Sequence, residues 1–154
     1  MNILATQYTL QHKSLEIYLA GCNANPHCTS CFNSESWNFN QGIKYDNYYF
    51  NKHIKQKCDD FSLLINNIFV LGGEPNDQDK DELLHLLFDL KSLNKKIWIF
   101  TRYDLKQLPK FELELCDYIK CGKYIPELTI ENNTQYGIKL ATSNQKIYKK
   151  NIDY

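Results

Sequence analysis

The sequence predicts an α/β protein built on a mostly parallel sheet. Three observations predict it. Strand-like and helix-like segments alternate along the chain, the strand segments are short and apolar, and the chemically unusual residues fall just after them. With 154 residues, 43% hydrophobic and 14% aromatic, the chain can bury one packed core, and it reads as a single domain over 1–154.

The elements follow in order. Ser14 to Ala20 puts Leu15, Ile17 and Leu19 on one face, the period-2 pattern of a strand, and runs into Gly21-Cys22. From Asp46 to about Cys58, Tyr49, Phe50, His53, Ile54 and Cys58 recur at helical spacing, with Asp46 as N-cap. Asn67 to Leu71 is an apolar run closed by Gly72-Gly73, as a buried parallel strand requires. Asp79 to Leu93 is a helix with Leu83, Leu84, Leu87, Leu90 and Leu93 as its apolar stripe. Lys96 to Thr101 is another strand, and Asp117 to Cys121 and Ile138 to Ala141 read as short strands with irregular chain between. In parallel sheets ligands bind at the C-terminal strand ends. The cysteine loop, the GGEP turn and Thr101-Arg102-Tyr103 therefore belong to one rim.

Charge and cysteine usage exclude several classes. Eighteen basic residues balance eighteen acidic ones, which is not the basic excess of a nucleic-acid binder. No apolar run approaches the roughly 20 residues of a membrane span, and the N-terminus lacks signal-peptide architecture. A cytoplasmic protein is expected, with neither nucleic acid nor membrane as partner. Arg102 is the only arginine, a bias expected of AT-rich codons. Three of six cysteines (Cys22, Cys28, Cys31) lie within ten residues. Without a secretory context, such a cluster reads as metal ligands or catalytic thiols.

The loop is C-x5-C-x2-C, and three thiolates on one short loop can reach a common centre. Closed structural zinc and ordinary iron–sulfur sites take four ligands, so three leave one metal position open for a substrate. The alternative is a Cys3His zinc knuckle using His27 or His12. In Leu71-Gly72-Gly73-Glu74-Pro75 the glycines would let a ligand approach the backbone, and Glu74 offers a carboxylate to a ligand ammonium. Cys58, Cys116 and Cys121 read as core residues, His53 and His85 as packing or surface residues, and Lys149-Lys150 as solvated surface.

Taken together these segments resemble the radical S-adenosylmethionine (SAM) superfamily, and within it the small activating proteins of anaerobic ribonucleoside-triphosphate reductases. The cysteine loop continuing through Phe32, Asn33 and Ser36-Trp37 is similar to the family's cysteine-rich segment. Leu71 to Pro75 is similar to its GGEP motif. Trp98 to Tyr103 is similar to W-x-x-T-G-Y with Arg102 in place of glycine, and Thr142 to Gln145 to the C-terminal Gly-Ser-x-Asn-Gln. Cys121-Gly122-Lys123-Tyr124 stands where Asp-Gly-x-Tyr is usual.

The resemblance implies a compact truncated (β/α) barrel in which Cys22, Cys28 and Cys31 bind three irons of a [4Fe-4S] cluster. SAM would chelate the fourth iron, contacted by Gly72, Gly73, Glu74, Phe32, Thr101 and Asn144; ordinary core packing is the other reading of Phe32. It also implies an oxidoreductase whose 5′-deoxyadenosyl radical installs a glycyl radical on a partner anaerobic reductase. Electrons would come from a flavodoxin-like or other low-potential donor. The alternatives are a radical SAM enzyme acting on another peptide or small molecule and, more distantly, a zinc-stabilised binding module without catalysis.

Overall fold

The computed structural model describes residues 1–29 and 31–154; Ser30, inside the cysteine loop, lies outside them. Strands β1 (Asn2–Thr9), β2 (Ser14–Leu19) and β3 (Ile43–Lys44) precede a helical stretch. In that stretch α1 (Asn47–Tyr49) continues through a π-helical segment, Phe50–Lys55, into α2 (Gln56–Asp60). Then come β4 (Asn67–Gly72), α3 (Lys80–Lys91), β5 (Lys96–Phe100), α4 (Lys110–Leu115), β6 (Tyr118–Cys121), β7 (Thr134–Gln135), β8 (Ile138–Lys139) and β9 (Lys146–Lys149). Seven strands form one sheet in the order β3-β1-β2-β4-β5-β6-β9, with β7 and β8 a separate pair. The β2-β4, β4-β5 and β5-β6 pairings are parallel, whereas β1, β3 and β9 join antiparallel. The fold is mixed α/β with a mostly parallel centre, as expected.

The period-2 geometry of the central strands sorts their residues onto two faces. Leu15, Ile17, Ile68, Val70, Ile97, Ile99 and Ile119 pack with the helical residues Ile54, Leu83, Leu86, Leu87 and Leu90. Phe69, Trp98 and Tyr118 line the opposite face with Leu140 and Ile147. There Trp98 stacks on Tyr118 at 3.9 Å between centroids and meets Phe69 at 5.3 Å. Both faces are covered, which is why these strands read as near-continuous apolar runs.

Helix α3 starts as its sequence dictates, with the Asp79 carboxylate accepting from the Asp81 and Glu82 amides. Asp46 likewise accepts from the Tyr49 amide at 2.8 Å. The buried stripe of α3 differs by one residue from expectation. Leu86 is fully buried while Leu84 is 38% exposed, because the helix presents Leu83, Leu86, Leu87 and Leu90 to the sheet.

Other expectations are corrected at the edges. Ile138 to Ala141 does not join the sheet; Ile138 and Lys139 pair with Gln135 and Thr134. Lys149 is not free surface, since it sits in β9 with its ammonium 5.8 Å from the Tyr118 ring centre. Strands β1 and β9 and helix α4 had no counterpart in the sequence reading. No helix among the described residues is long and apolar enough to cross a membrane.

Candidate functional site

The C-terminal ends of β2, β4, β5 and β6 open on one cavity of about 640 Å³. Cys22, Cys28 and Cys31 line it after β2, Gly72, Gly73 and Glu74 after β4, Thr101 and Arg102 after β5, and Lys120 from β6. The loop leaving β2 is anchored by the backbone: Gly21 N–H donates to Ser36 O at 2.6 Å and Cys22 N–H to Trp37 O at 3.1 Å. The three loop thiols are partly exposed, whereas Cys58, Cys116 and Cys121 are buried at 2%, 0% and 3% exposure. Burial pushes the Cys58 thiol up to about 11 and the Cys121 thiol up to about 12. Burial raises the Cys22 thiol as well, so access is what separates the loop cysteines from the buried three.

Soft thiolate donors suit an iron–sulfur group, and three of them share one wall of this cavity. Among the described residues, no three His, Cys, Asp or Glu side chains already converge on a single point. Neither histidine of the zinc alternative lines the cavity. The His27 ring stacks on Trp37 at 3.9 Å with Nε2 3.2 Å from Cys22 O. His12 sits in the β1–β2 turn, its ring 5.7 Å from that of Phe69. Phe32 is 96% exposed beside Cys31 at the mouth of the cavity, which removes its reading as a core residue.

The glycines of GGEP are first used by the chain's own backbone. A Cβ on Gly73 would lie 2.1 Å from Gly21 O. Gly72, at φ +110°, would place one 2.5 Å from Leu19 N. This closeness lets Gly73 N–H reach Leu19 O at 2.8 Å and Glu74 N–H reach Gly21 O at 2.7 Å. The buried Gln78 amide adds a bond to Ala20 O at 3.0 Å. The expectation that the glycines serve ligand approach is thus extended: they weld the cysteine loop to the end of β4.

Glu74, 3% exposed, has both carboxylate oxygens engaged. Oε1 accepts from Thr101 Oγ1 at 2.6 Å and Asn76 N at 3.0 Å, and Oε2 accepts from Arg102 N at 2.8 Å. Burial raises its pKa, and these three hydrogen bonds oppose the rise. Its carboxylate therefore holds β5 against β4 before any ligand arrives. Thr101, also 3% exposed, accepts in turn from Tyr103 N at 3.1 Å.

The arginine that replaces glycine after Thr101 has its own partner. Arg102 donates to Asp77 at 3.0 and 3.2 Å, and Tyr103 O–H donates to Asp77 Oδ1 at 2.7 Å. Asp77 Oδ2 accepts from Asn23 N, next to Cys22, at 2.5 Å. One buried carboxylate so ties the cysteine loop to β5.

Behind this network lies Glu112, with no exposed surface. Its Oε2 accepts from Asn76 at 3.3 Å while its Oε1 has no partner among the described residues. Burial pushes its carboxyl up to about 7.

Asn144 stands apart from the cavity. It is exposed, its amide donates to Lys123 O at 2.9 Å, and its neighbour Gln145 lines the cavity instead. Sequence reasoning missed Lys120, whose Nζ donates to Gly122 O at 2.9 Å and whose pKa burial lowers to about 8. The signal was its alternation with Ile119 and Cys121, which gives it the face of Tyr118 once β6 is placed in the sheet.

Comparison with known proteins gives a consistent result. Residues 13–148 match the profile of the 4Fe-4S single cluster domain family. The chain is similar to the anaerobic ribonucleoside-triphosphate reductase-activating protein of Haemophilus influenzae, 27% identical over 117 residues, covering 72% of this chain and 74% of that protein. It is similar to the protein of the same name from Escherichia coli K12, 25% identical over 118 residues, covering 73% and 75%.

Proposed function

Because the chain belongs to the 4Fe-4S single cluster domain family, we propose that it is a SAM-dependent activase of a partner anaerobic ribonucleoside-triphosphate reductase. The observation that supports this most is the shared cavity: three cysteines of one loop face the same space as the glycine-rich end of β4. Cys22, Cys28 and Cys31 would each hold one iron of a [4Fe-4S] cluster, leaving the fourth for the amino and carboxylate groups of SAM. When bound, this pair supplies the one-electron chemistry that cleaves SAM to a 5′-deoxyadenosyl radical and moves a glycine hydrogen from the reductase.

The chain's own residues position and enclose. The backbone of Gly72 and Gly73 borders the cavity where a ligand ammonium would find carbonyl oxygens, and Glu74 and Thr101 fix that border. Phe32 stands exposed at the mouth, placed to cover an aromatic ring. The segment with β7 and β8 covers the aromatic face of the sheet and limits water. Helices on one face of an open sheet and a cavity at its strand ends suit a truncated (β/α) barrel; the proposed activase would work in the cytoplasm with a flavodoxin-like or other low-potential donor.

The test is anaerobic reconstitution. Wild-type protein is expected to take up about four irons and four sulfides. Cys22→Ala, Cys28→Ala and Cys31→Ala each abolish uptake, and Cys58→Ala and Cys116→Ala retain it. Reduced protein with SAM then gives a glycyl-radical doublet in electron paramagnetic resonance of the co-encoded reductase. Zinc uptake without iron overturns the cluster. Steady 5′-deoxyadenosine release with no radical on the reductase overturns the activase reading alone.

A further inference from the structure

The residue after Cys22 donates its backbone N–H to Asp77 Oδ2 at 2.5 Å. A buried carboxylate is thereby held against the cysteine loop, one residue from a cluster-binding sulfur. Glu74, equally buried, stands beside it at the end of β4. Arg102 lies between these two carboxylates. One guanidinium nitrogen reaches both Asp77 oxygens at 3.0 and 3.2 Å, and Nε lies 3.9 Å from Glu74 Oε2. Tyr103 fixes the guanidinium, which covers its ring at 4.3 Å from the centroid and donates to its hydroxyl at 2.8 Å. Arg102 occupies the place of the glycine in W-x-x-T-G-Y, so this arrangement is the chain's own and the resemblance does not supply it.

Charges withdrawn from water are weakly screened, and the charge around an iron–sulfur group helps to set its reduction potential. Adding an electron to a group already held by three thiolates is opposed by a neighbouring carboxylate and favoured by a neighbouring guanidinium. We propose that Asp77 and Arg102 form a compensated pair that sets the reduction potential of the cluster. This rests on the [4Fe-4S] reading above. Asp77 holds the loop beside Cys22 through the Asn23 N–H, and Arg102 offsets the field that this carboxylate imposes there. The donor loses one electron and the cluster gains it, and the guanidinium keeps the potential high enough for that transfer. Both are positioning residues: one acts through the loop backbone, the other through charge.

The experiment is a redox titration of the reconstituted, SAM-free protein at one pH and ionic strength, followed by electron paramagnetic resonance. Wild type is measured beside Arg102→Gln, Arg102→Lys, Asp77→Asn and the double variant Asp77→Asn/Arg102→Gln, with iron content certifying each preparation. Arg102→Gln is expected to shift the potential down, because Asp77 is left uncompensated, and Asp77→Asn to shift it up. The double variant is expected to lie between the two, and Arg102→Lys near wild type. A purely structural role cannot produce shifts of opposite sign. Unchanged potentials, or shifts in the same direction, overturn the proposal and leave the cluster reading standing. Asp77→Asn keeps an oxygen acceptor for the Asn23 N–H, so it decides the matter even if Arg102→Gln loads poorly: a potential at or below wild type overturns the proposal by itself. Wild-type protein that takes up no iron overturns the cluster reading and the proposal with it.

Discussion

Thr101 donates its hydroxyl to the Glu74 carboxylate across 2.6 Å, and both side chains are 3% exposed. This bond joins the ends of two parallel strands directly beneath the cavity. Thr101→Val removes the donor while conserving shape, leaving a buried oxygen of Glu74 one bond short. A loss of about 1–3 kcal/mol is expected in chemical denaturation. Glu74→Ala strands three donors and is expected to cost more. A Thr101→Val variant as stable as wild type would refute the role of this bond.

Gly73 is a steric test of the loop-to-strand weld. Its Cβ would meet the Gly21 backbone, not a mobile side-chain end, so even Gly73→Ala must shift the turn that carries Cys22. Reduced iron uptake after reconstitution is expected, not loss of SAM binding alone. Gly137 provides the contrast, because nothing lies within 4 Å of a Cβ there although its φ is +81°. Gly137→Ala is expected to lose only about 1 kcal/mol and to load iron normally.

Glu112 makes stability depend on pH. In the unfolded chain its carboxyl ionises near 4.3, while in the folded protein burial holds the proton up to about 7. The folded state therefore binds more protons across that window. The contribution is complete below the ordinary carboxyl range and is lost as pH rises through 7. Glu112→Gln mimics the protonated form. It is expected to flatten this part of the profile and to stabilise the protein at pH 8 by about 1–3 kcal/mol, measured by urea titration at pH 5 and pH 8.

The Arg102–Asp77 pair is open to a double-mutant cycle. Asp77 is 3% exposed and Arg102 24%, so removing Arg102 leaves a nearly buried carboxylate without its cation. Arg102→Ala alone is expected to cost about 2 kcal/mol or more, and the added change Asp77→Asn to recover part of it. Additive losses would mean that the two charges do not act as a unit.

Much of this architecture was legible in the chain. Strands β2, β4 and β5 announced themselves because both of their faces are buried, and Asp46 and Asp79 marked helix starts through their capping carboxylates. The site was legible as proximity: each chemical motif followed a strand, and parallel strands end on one side. The edges were not. In β1 only Ile3 is fully buried, so its alternation is weak, and β9 spans four residues with a single buried isoleucine. The partners of Glu74 and Asp77 were hidden for a different reason. A lone carboxylate does not reveal whether it faces a ligand or a neighbouring strand, and here Thr101, Arg102 and Asn23 supply donors from distant parts of the sequence. Lys120 was read as one strand residue among five because its face follows from sheet order, which no local pattern encodes.

The division of the six thiols into three accessible and three buried gives the protein a chemical record of its own handling. Alkylating reagents and peroxide act on thiolates they can reach. Oxygen damage therefore begins at Cys22, Cys28 and Cys31, while Cys58, Cys116 and Cys121 keep their reduced sulfur until the fold opens. Peptide mapping after differential labelling distinguishes a folded preparation that met air from one that had first unfolded: the first carries three modified positions, the second six.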